Sequence, residues 1–452
     1  MLHHHEPGFL QRYYQFGWGI VPNLGQDLLM LPLGALFGAE RGGLVAAALI
    51  PPAMVLGIRA LSKAVHGAVQ PSALFALPFV YTFTFIFGFV NFHMGVAITL
   101  WSMVLWYNTR NWSPLPRVLI FTLLSFVTWI CHVGAWMLLL VAVGSFELVR
   151  SLRENPGQLV RAALVTAPRV VPLLLPAALF FLVPPGSPPP SLGSPPYYVK
   201  FYFLAYPLRD ENVILDLASM ALLAVVPAVL LLKDRLRLQT GLTLFAALLF
   251  ALFWLIPVSF MNGFYGDLRL LSVIWWAALI AMRFELSPRN AQLLAIGALL
   301  LVGVRFAIMT VAWTTRGAVL QSELKVLDQV PEGAKIASFA PMRACKRWWN
   351  DGLASLPGLA IVRRNAFVNS EWDIPGQQLM QPIYMRGTAY NSARSLGLRG
   401  KCTGPVLEDR LRDLPRDKFD YVWVLRAPPP NNYPWLVPVA RGPNSVLYRI
   451  VK

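Results

Sequence analysis

Of the 452 residues, 56% are hydrophobic and only 13% are charged, yet the formal net charge is +17. A soluble chain carries roughly twice that fraction of charge, so a single water-soluble core is excluded. The basic residues flank apolar runs and build no arginine-rich helix or basic–aromatic strand. The positive charge therefore reads as membrane topology and anionic lipid, and argues against a nucleic-acid partner.

Residues 1–40 open polar and aromatic, with His3, His4 and His5 read as a solvated terminus. The apolar stretch 27–37 is too short to cross a bilayer and predicts an interfacial or re-entrant helix, with Asp27 at its start. Beyond it, apolar runs predict about 10 transmembrane helices, at 41–62, 72–89, 91–107, 118–131, 133–150, 169–185, 213–233, 241–258, 270–284 and 291–312. A hydrocarbon core of ~30 Å needs ~20 helical residues per crossing. Two of these pairs nearly touch, at GFVNF (88–92) and CHVG (131–134). Each pair exceeds 30 residues, too long for one tilted crossing, so two crossings are expected each time.

Lysine and arginine set the orientation. One group of connections holds Arg59, Lys63, Arg110, Arg117, Arg150, Arg153, Arg161, Arg169, Lys233, Arg235, Arg237, Arg283 and Arg289. The opposite group holds only Arg12, Arg41, Lys200, Arg209 and Arg269. The rich group is expected in the cytoplasm, which puts both termini outside, in the periplasm of a bacterium. The outer loop 186–212 begins with a proline-rich part and turns aromatic and charged, as either a lid over a membrane-level cleft or a plain surface loop.

From about Thr315 the pattern changes. Residues 318–330 have helical spacing, and 334–340, 359–364, 421–426 and 445–450 are short β-rich runs between polar segments. The fold class is therefore a polytopic all-α membrane bundle, 41–312, preceded by an extracytoplasmic segment, 1–40, and followed by a small extracytoplasmic α/β domain, 313–452. Cys345 and Cys402 in that domain could pair if it is extracytoplasmic.

Polar residues at a membrane edge are costly and are functional candidates by default. The topology gathers many at one face. Asp27, Asp267 and His132 are the candidate catalytic groups. Arg209, Arg269, Arg305, Asn91, His93 and Tyr265 are the candidate substrate-binding groups. Each has a plainer reading: His132 as a cap beside Gly134, Asn91 as a turn residue, Asp27 as a helix cap, and Asp267 as the ion-pair partner of Arg269 or Arg305. No P-loop, HExxH or Ser–His–Asp order is visible. No metal ligands stand out and no cofactor is named, although a divalent metal stays open.

Four stretches carry a likeness: RYYQFGWGIVPNLGQDLL, GFVNFHMGVAITLWSMVLW, the pair KFYFLAYPLRDENVILDL and GFYGDLRLL, and the C-terminal GLAIVRRNAFVNSEWDIPGQQ with FDYVWVL and SVLYRI. Together they make the chain resemble bacterial inner-membrane proteins related to the GT-C-type glycosyltransferases. The resemblance implies transfer of a sugar from a polyprenyl-phosphate donor to an acceptor at the outer face. In that family the catalytic carboxylate usually lies in the first outer loop, after an initial transmembrane helix. This chain starts beyond that point, which leaves Glu6 and Asp27 as the nearby acids and makes a truncated or inactive relative one expectation. The competing readings are a transporter or flippase of a lipid-linked substrate, and a non-catalytic membrane scaffold.

Overall fold

The computed structural model describes residues 8–182, 197–260, 263–340, 348, 352–371, 377–391, 407–426 and 433–452. The histidine run and Glu6, the proline-rich part of the long loop, and Cys345 and Cys402 lie outside the described residues. The chain divides into two compact units: Ile20–Ala307, and a second formed by Met1–Gly19 with Ile308–Lys452.

The larger unit is helical. Its main helices are α1 (Gly25–Phe37), α2 (Ala39–Ala48), α3 (Ile50–His66), α4 (Val90–Asn108), α5 (Pro114–Cys131), α6 (Val133–Glu154), α7 (Leu159–Val170), α8 (Val213–Leu232), α9 (Thr240–Leu255) and α10 (Gly266–Ala281). A longer helix, α11 (Pro288–Leu324), runs from this unit into the second. Among the described residues, six helical stretches are long and apolar enough to cross a membrane: Ala39–His66, Pro114–Cys131, Val133–Glu154, Leu159–Phe181, Val213–Leu232 and Pro288–Gln329.

Local chemistry explains several boundaries. Pro114 opens α5, where a missing N–H costs nothing. Asn212 caps α8 by accepting from the Ile214 and Leu215 amides at 3.0 and 3.1 Å. His132 sits in extended backbone between α5 and α6, and its Nδ1 accepts the Gly134 N–H at 2.9 Å. Two helices therefore flank His132, as the sequence suggests, and Arg117 near the start of α5 meets Glu147 late in α6, closing an antiparallel hairpin.

The predicted span 72–89 is not a helix. It consists of a short helix at Pro71–Phe75, a 3₁₀ turn at Leu77–Val80 and another short helix at Phe83–Ile86. Pro78 and the Thr82 cap divide it. The segment still runs from one end of the unit to the other. Ser72 donates to the Met282 carbonyl at 2.5 Å, the Phe79 and Trp275 rings stack at 5.6 Å, and Phe89 lies under Arg269.

The unit has two chemically different ends. At one, Glu147 accepts from Arg117, Trp106 and Arg169, while Arg150 reaches the Arg110 carbonyl, Arg153 reaches Thr240, and Arg237 pairs in register with Arg283. Of the basic residues predicted to share a side, Arg110, Arg117, Arg150, Arg153, Arg169, Arg237 and Arg283 thus lie at one end of the unit. The starts of α4, α6 and α10 and the end of α5 meet at the opposite end.

The second unit carries a five-stranded sheet of order β4–β5–β3–β1–β2, made of β1 (Lys335–Phe339), β2 (Phe367–Val368), β3 (Tyr421–Leu425), β4 (Leu436–Gly442) and β5 (Ser445–Ile450). β1 is parallel to both β2 and β3, and β3, β5 and β4 form an antiparallel set. The run 359–364 is a helix, α12 (Leu359–Arg364), not a strand. Ala360 and Ile361 are buried while Val362 is exposed, and Asn365 ends the helix in the left-handed region at φ 47°. Residues 8–19 belong to this unit instead of forming one segment with 20–40: Tyr14–Phe16 pair with Met380–Pro382, and Tyr13 and Tyr14 enter its core. Buried Glu323 at the end of α11 takes the Asn444 amide N–H and the Ser445 hydroxyl, each at 2.5 Å, which fixes the β4–β5 turn.

Candidate functional site

The polar end of the larger unit is assembled by contacts that sequence alone could not supply. The Leu24 N–H donates to the Ile130 carbonyl at 2.8 Å, and the Val133 N–H to the Pro22 carbonyl at 3.1 Å. Asn91 donates to the Asn23 carbonyl at 2.7 Å and accepts the Gln26 N–H. The start of α1 is thereby tied to the α5–α6 break and to the start of α4. Asn91 is thus engaged at this junction through both ends of its amide. Asp27 lies in the first turn of α1, part-buried, and burial pushes its carboxyl up to about 6.

Arg269 crosses to the same break. Its guanidinium lies 3.7 Å from the Phe89 ring centroid, and its Nη1 is 3.0 Å from His132 Nε2. The two contacts of His132 have a consequence. A neutral imidazole has one lone pair and one N–H. Its Nδ1 faces the Gly134 N–H and its Nε2 faces a guanidinium N–H, so in either tautomer one ring nitrogen meets a donor head-on. The neutral ring has one acceptor nitrogen for the two donors that face it, beside a permanent positive charge. An oxyanion is the group that relieves this arrangement.

A second arginine stands on the same aromatic segment. The Arg209 guanidinium lies 4.8 Å from the Phe83 and Tyr206 ring centroids. Phe83 contacts Phe87 at 5.6 Å, and Phe87 contacts Phe89 at 5.4 Å. Tyr265, left-handed at φ 57°, packs its ring on Phe87 at 5.8 Å and on Phe203 at 6.3 Å. Residues 83–89 thus form an aromatic strip with Arg209 at one end and Arg269 at the other, and Phe87 is exposed on it.

Other candidates are committed elsewhere. Asp267 is fully buried, pairs with Lys200 at 3.4 Å and accepts the Leu268 N–H at 2.8 Å. It partners neither Arg269 nor Arg305. Lys200 also donates to the Phe253 and Ile256 carbonyls at 2.5 and 2.7 Å, closing the C-terminal end of α9. Arg305 pairs instead with Asp216 at 3.0 Å and donates to Ser219 Oγ and the Leu208 carbonyl at 3.0 and 2.9 Å. Asp216 also accepts the Asp210 N–H at 2.8 Å, so Arg305 staples the start of α8 to the preceding loop. His93 is buried, with Nε2 2.9 Å from the Thr84 hydroxyl and 3.3 Å from Thr82.

Lys200, Asp216, Thr82, Thr84 and the strip 83–89 were not singled out by sequence reading. A charge in an apolar context was the available signal for Lys200 and Asp216; the aromatic strip resembles any apolar run. Among the described residues, no three His, Cys, Asp or Glu side chains gather as a metal site would require. Comparisons with models of known families, with curated proteins and with solved structures find no match for this chain.

Proposed function

We propose that the protein is a membrane glycosyltransferase of GT-C type that moves a sugar from a polyprenyl-phosphate donor to an acceptor at the extracytoplasmic face. In this reading the remaining predicted spans also cross the bilayer, 71–89 as a broken segment, and the basic end of the bundle faces the cytoplasm. The observation that supports the reading is the Arg269 guanidinium held against His132 and Phe89, beside an exposed aromatic strip. A phosphate oxygen suits a guanidinium, and aromatic rings suit the first isoprene units and the sugar face.

The chemistry follows from the donor. The acceptor hydroxyl oxygen attacks the anomeric carbon and forms the new glycosidic bond. The bond from that carbon to the phosphate oxygen breaks, and its electron pair leaves on the phosphate. Arg269 and the His132 N–H stabilise that charge, and Arg209 bears on the same strip. The acceptor proton goes to Asp27, whose burial raises its basicity toward the working pH. Asp267 and Arg305 act as structural groups, given their buried partners.

Transfer from a polyprenyl-phosphate sugar in proteoliposomes tests the proposal. Arg269→Gln is expected to weaken donor binding at least tenfold and to slow transfer. A purified, folded protein that neither transfers nor hydrolyses any such donor overturns it. The broken crossing at 71–89, with Thr82 and Thr84 buried on it and His93 of α4 against them, favours transport as the second reading. Donor flux without bond cleavage would select that reading.

A further inference from the structure

The sheet of the second unit has the strand order β2–β1–β3 in its parallel part. The chain leaves β1 to one side to make β2 and returns across it to make β3. Connections from β1 and β3 therefore diverge at the carboxyl ends of those strands, and in open α/β sheets ligands bind in the crevice at such a switch point.

Independent observations fall at that point. Ser338 and Trp423 are register partners on β1 and β3 and hence present side chains on one face. Asn369 follows β2 and is fully buried; its Oδ1 accepts from the Ser338 N–H at 2.7 Å and from its hydroxyl at 2.8 Å. The Asn369 Nδ2, the Ser370 hydroxyl and the Trp423 indole N–H are all buried and have no hydrogen-bond partner among the described residues. Leaving one such group unsatisfied costs about 1–3 kcal/mol, so three at one sheet end call for an explanation.

A carboxyl joins the group. Glu371, two residues beyond Asn369, lies against Gly358, where an added Cβ would come 2.6 Å from its Oε1. Its burial raises its pKa toward the neutral acid. Tyr14 closes the neighbouring edge, accepting the Val368 N–H at 3.1 Å and stacking on Phe367. Amide, hydroxyl, indole N–H and carboxyl beside aromatic rings are the groups that engage vicinal hydroxyls. A phosphate would meet the carboxyl at its centre and is disfavoured.

We propose that the carboxyl ends of β1, β2 and β3 form a saccharide-binding site that takes a neutral glycan through Asn369, Ser370, Glu371 and Trp423. In the setting of the proposed transferase, it would hold the acceptor chain. Binding is read without any donor, so its failure and the failure of the transfer reading are separate results.

The experiment uses the full chain in detergent micelles, fluorescently labelled, on an array of neutral and acidic oligosaccharides. Retention on neutral glycans is expected, with no competition from inorganic phosphate. Trp423→Phe and Ser370→Ala are each expected to weaken that retention about five- to tenfold, the loss of one ligand hydrogen bond of about 1 kcal/mol or slightly more. Thermal unfolding without glycan should be lowered in Trp423→Phe, where a fully buried ring is trimmed, and unchanged or raised in Ser370→Ala, where a buried orphan hydroxyl is removed. No retained glycan, phosphate competition, or unchanged retention in both variants would overturn the site. A Ser370→Ala protein that is destabilised yet binds normally would show a hydroxyl satisfied by internal water only, which also overturns it.

Discussion

Replacing Asp216 by Asn tests the assignment of Arg305 as a structural staple. Both side chains are almost wholly buried, and the pair sits at 3.0 Å. Arg305 would retain Ser219 Oγ and the Leu208 carbonyl, two neutral acceptors, for a full positive charge. Breaking one side of a buried, hydrogen-bonded pair costs about 3–5 kcal/mol, because the remaining charge stays desolvated. Removing both, as Asp216→Leu with Arg305→Met, should cost markedly less than the sum of the single changes, with a coupling of about 2 kcal/mol or more. The assay is equilibrium unfolding in mixed micelles by denaturant titration, followed by tryptophan fluorescence. Donor binding in variants that stay folded supplies the contrast. An Asp216→Asn loss below about 1 kcal/mol, or strict additivity in the double variant, would refute the staple. A change confined to donor affinity would return Arg305 to substrate binding, the role its sequence context suggests.

With the Asp27 carboxyl at about 6, transfer should rise with pH through that value, since the base must be ionised, and Asp27→Asn should abolish the rise; a rate flat from pH 5 to 8 would count against it. The sign for stability is opposite. A carboxyl pKa raised in the folded state contributes stability that is fully present below about 4 and lost as pH climbs through about 6, so Asp27→Asn should flatten the dependence of melting temperature on pH in that window. Glu323→Ala strips the acceptor from the Asn444 N–H and the Ser445 hydroxyl and should cost about 3 kcal/mol, visible as faster amide exchange over 436–450. A Cβ at Gly95 would overlap Ala135 on α6, so Gly95→Val should force α4 from α6 and cost about 1–3 kcal/mol in the same micelle unfolding assay, whereas Gly144→Val, with open space around it, should not.

Much of the fold is legible in the sequence because lipid makes backbone satisfaction local. A helix closes its own hydrogen bonds, so length and apolarity alone mark the stretches from Ala39–His66 to Pro288–Gln329. Positive charge clusters for a reason equally local to each connection, and Arg110, Arg150, Arg237 and Arg283 announce one end of the bundle without any knowledge of packing. The breaks at His132 and before Val90 are visible as polar interruptions of apolar text.

Only the tertiary structure decided what each polar residue is for. Asp267 and Arg269 stand two apart and look like partners, but consecutive positions on a helix diverge by about 100°. Asp267 turns to Lys200 on the segment 198–203, and Arg269 to His132 and Phe89. Arg305 finds Asp216 from a helix 86 residues away in sequence from Ser219, a pairing that no local pattern encodes. The strip 83–89 reads as one more apolar span until Pro78 and Thr82 divide it and an arginine settles on each end. The run 359–364 reads as β because its side chains are branched and apolar, yet burial on one side of a short turn of chain makes it helical. Composition and periodicity mark the stretches apolar enough for lipid; long-range pairing decides which buried charges hold the fold together.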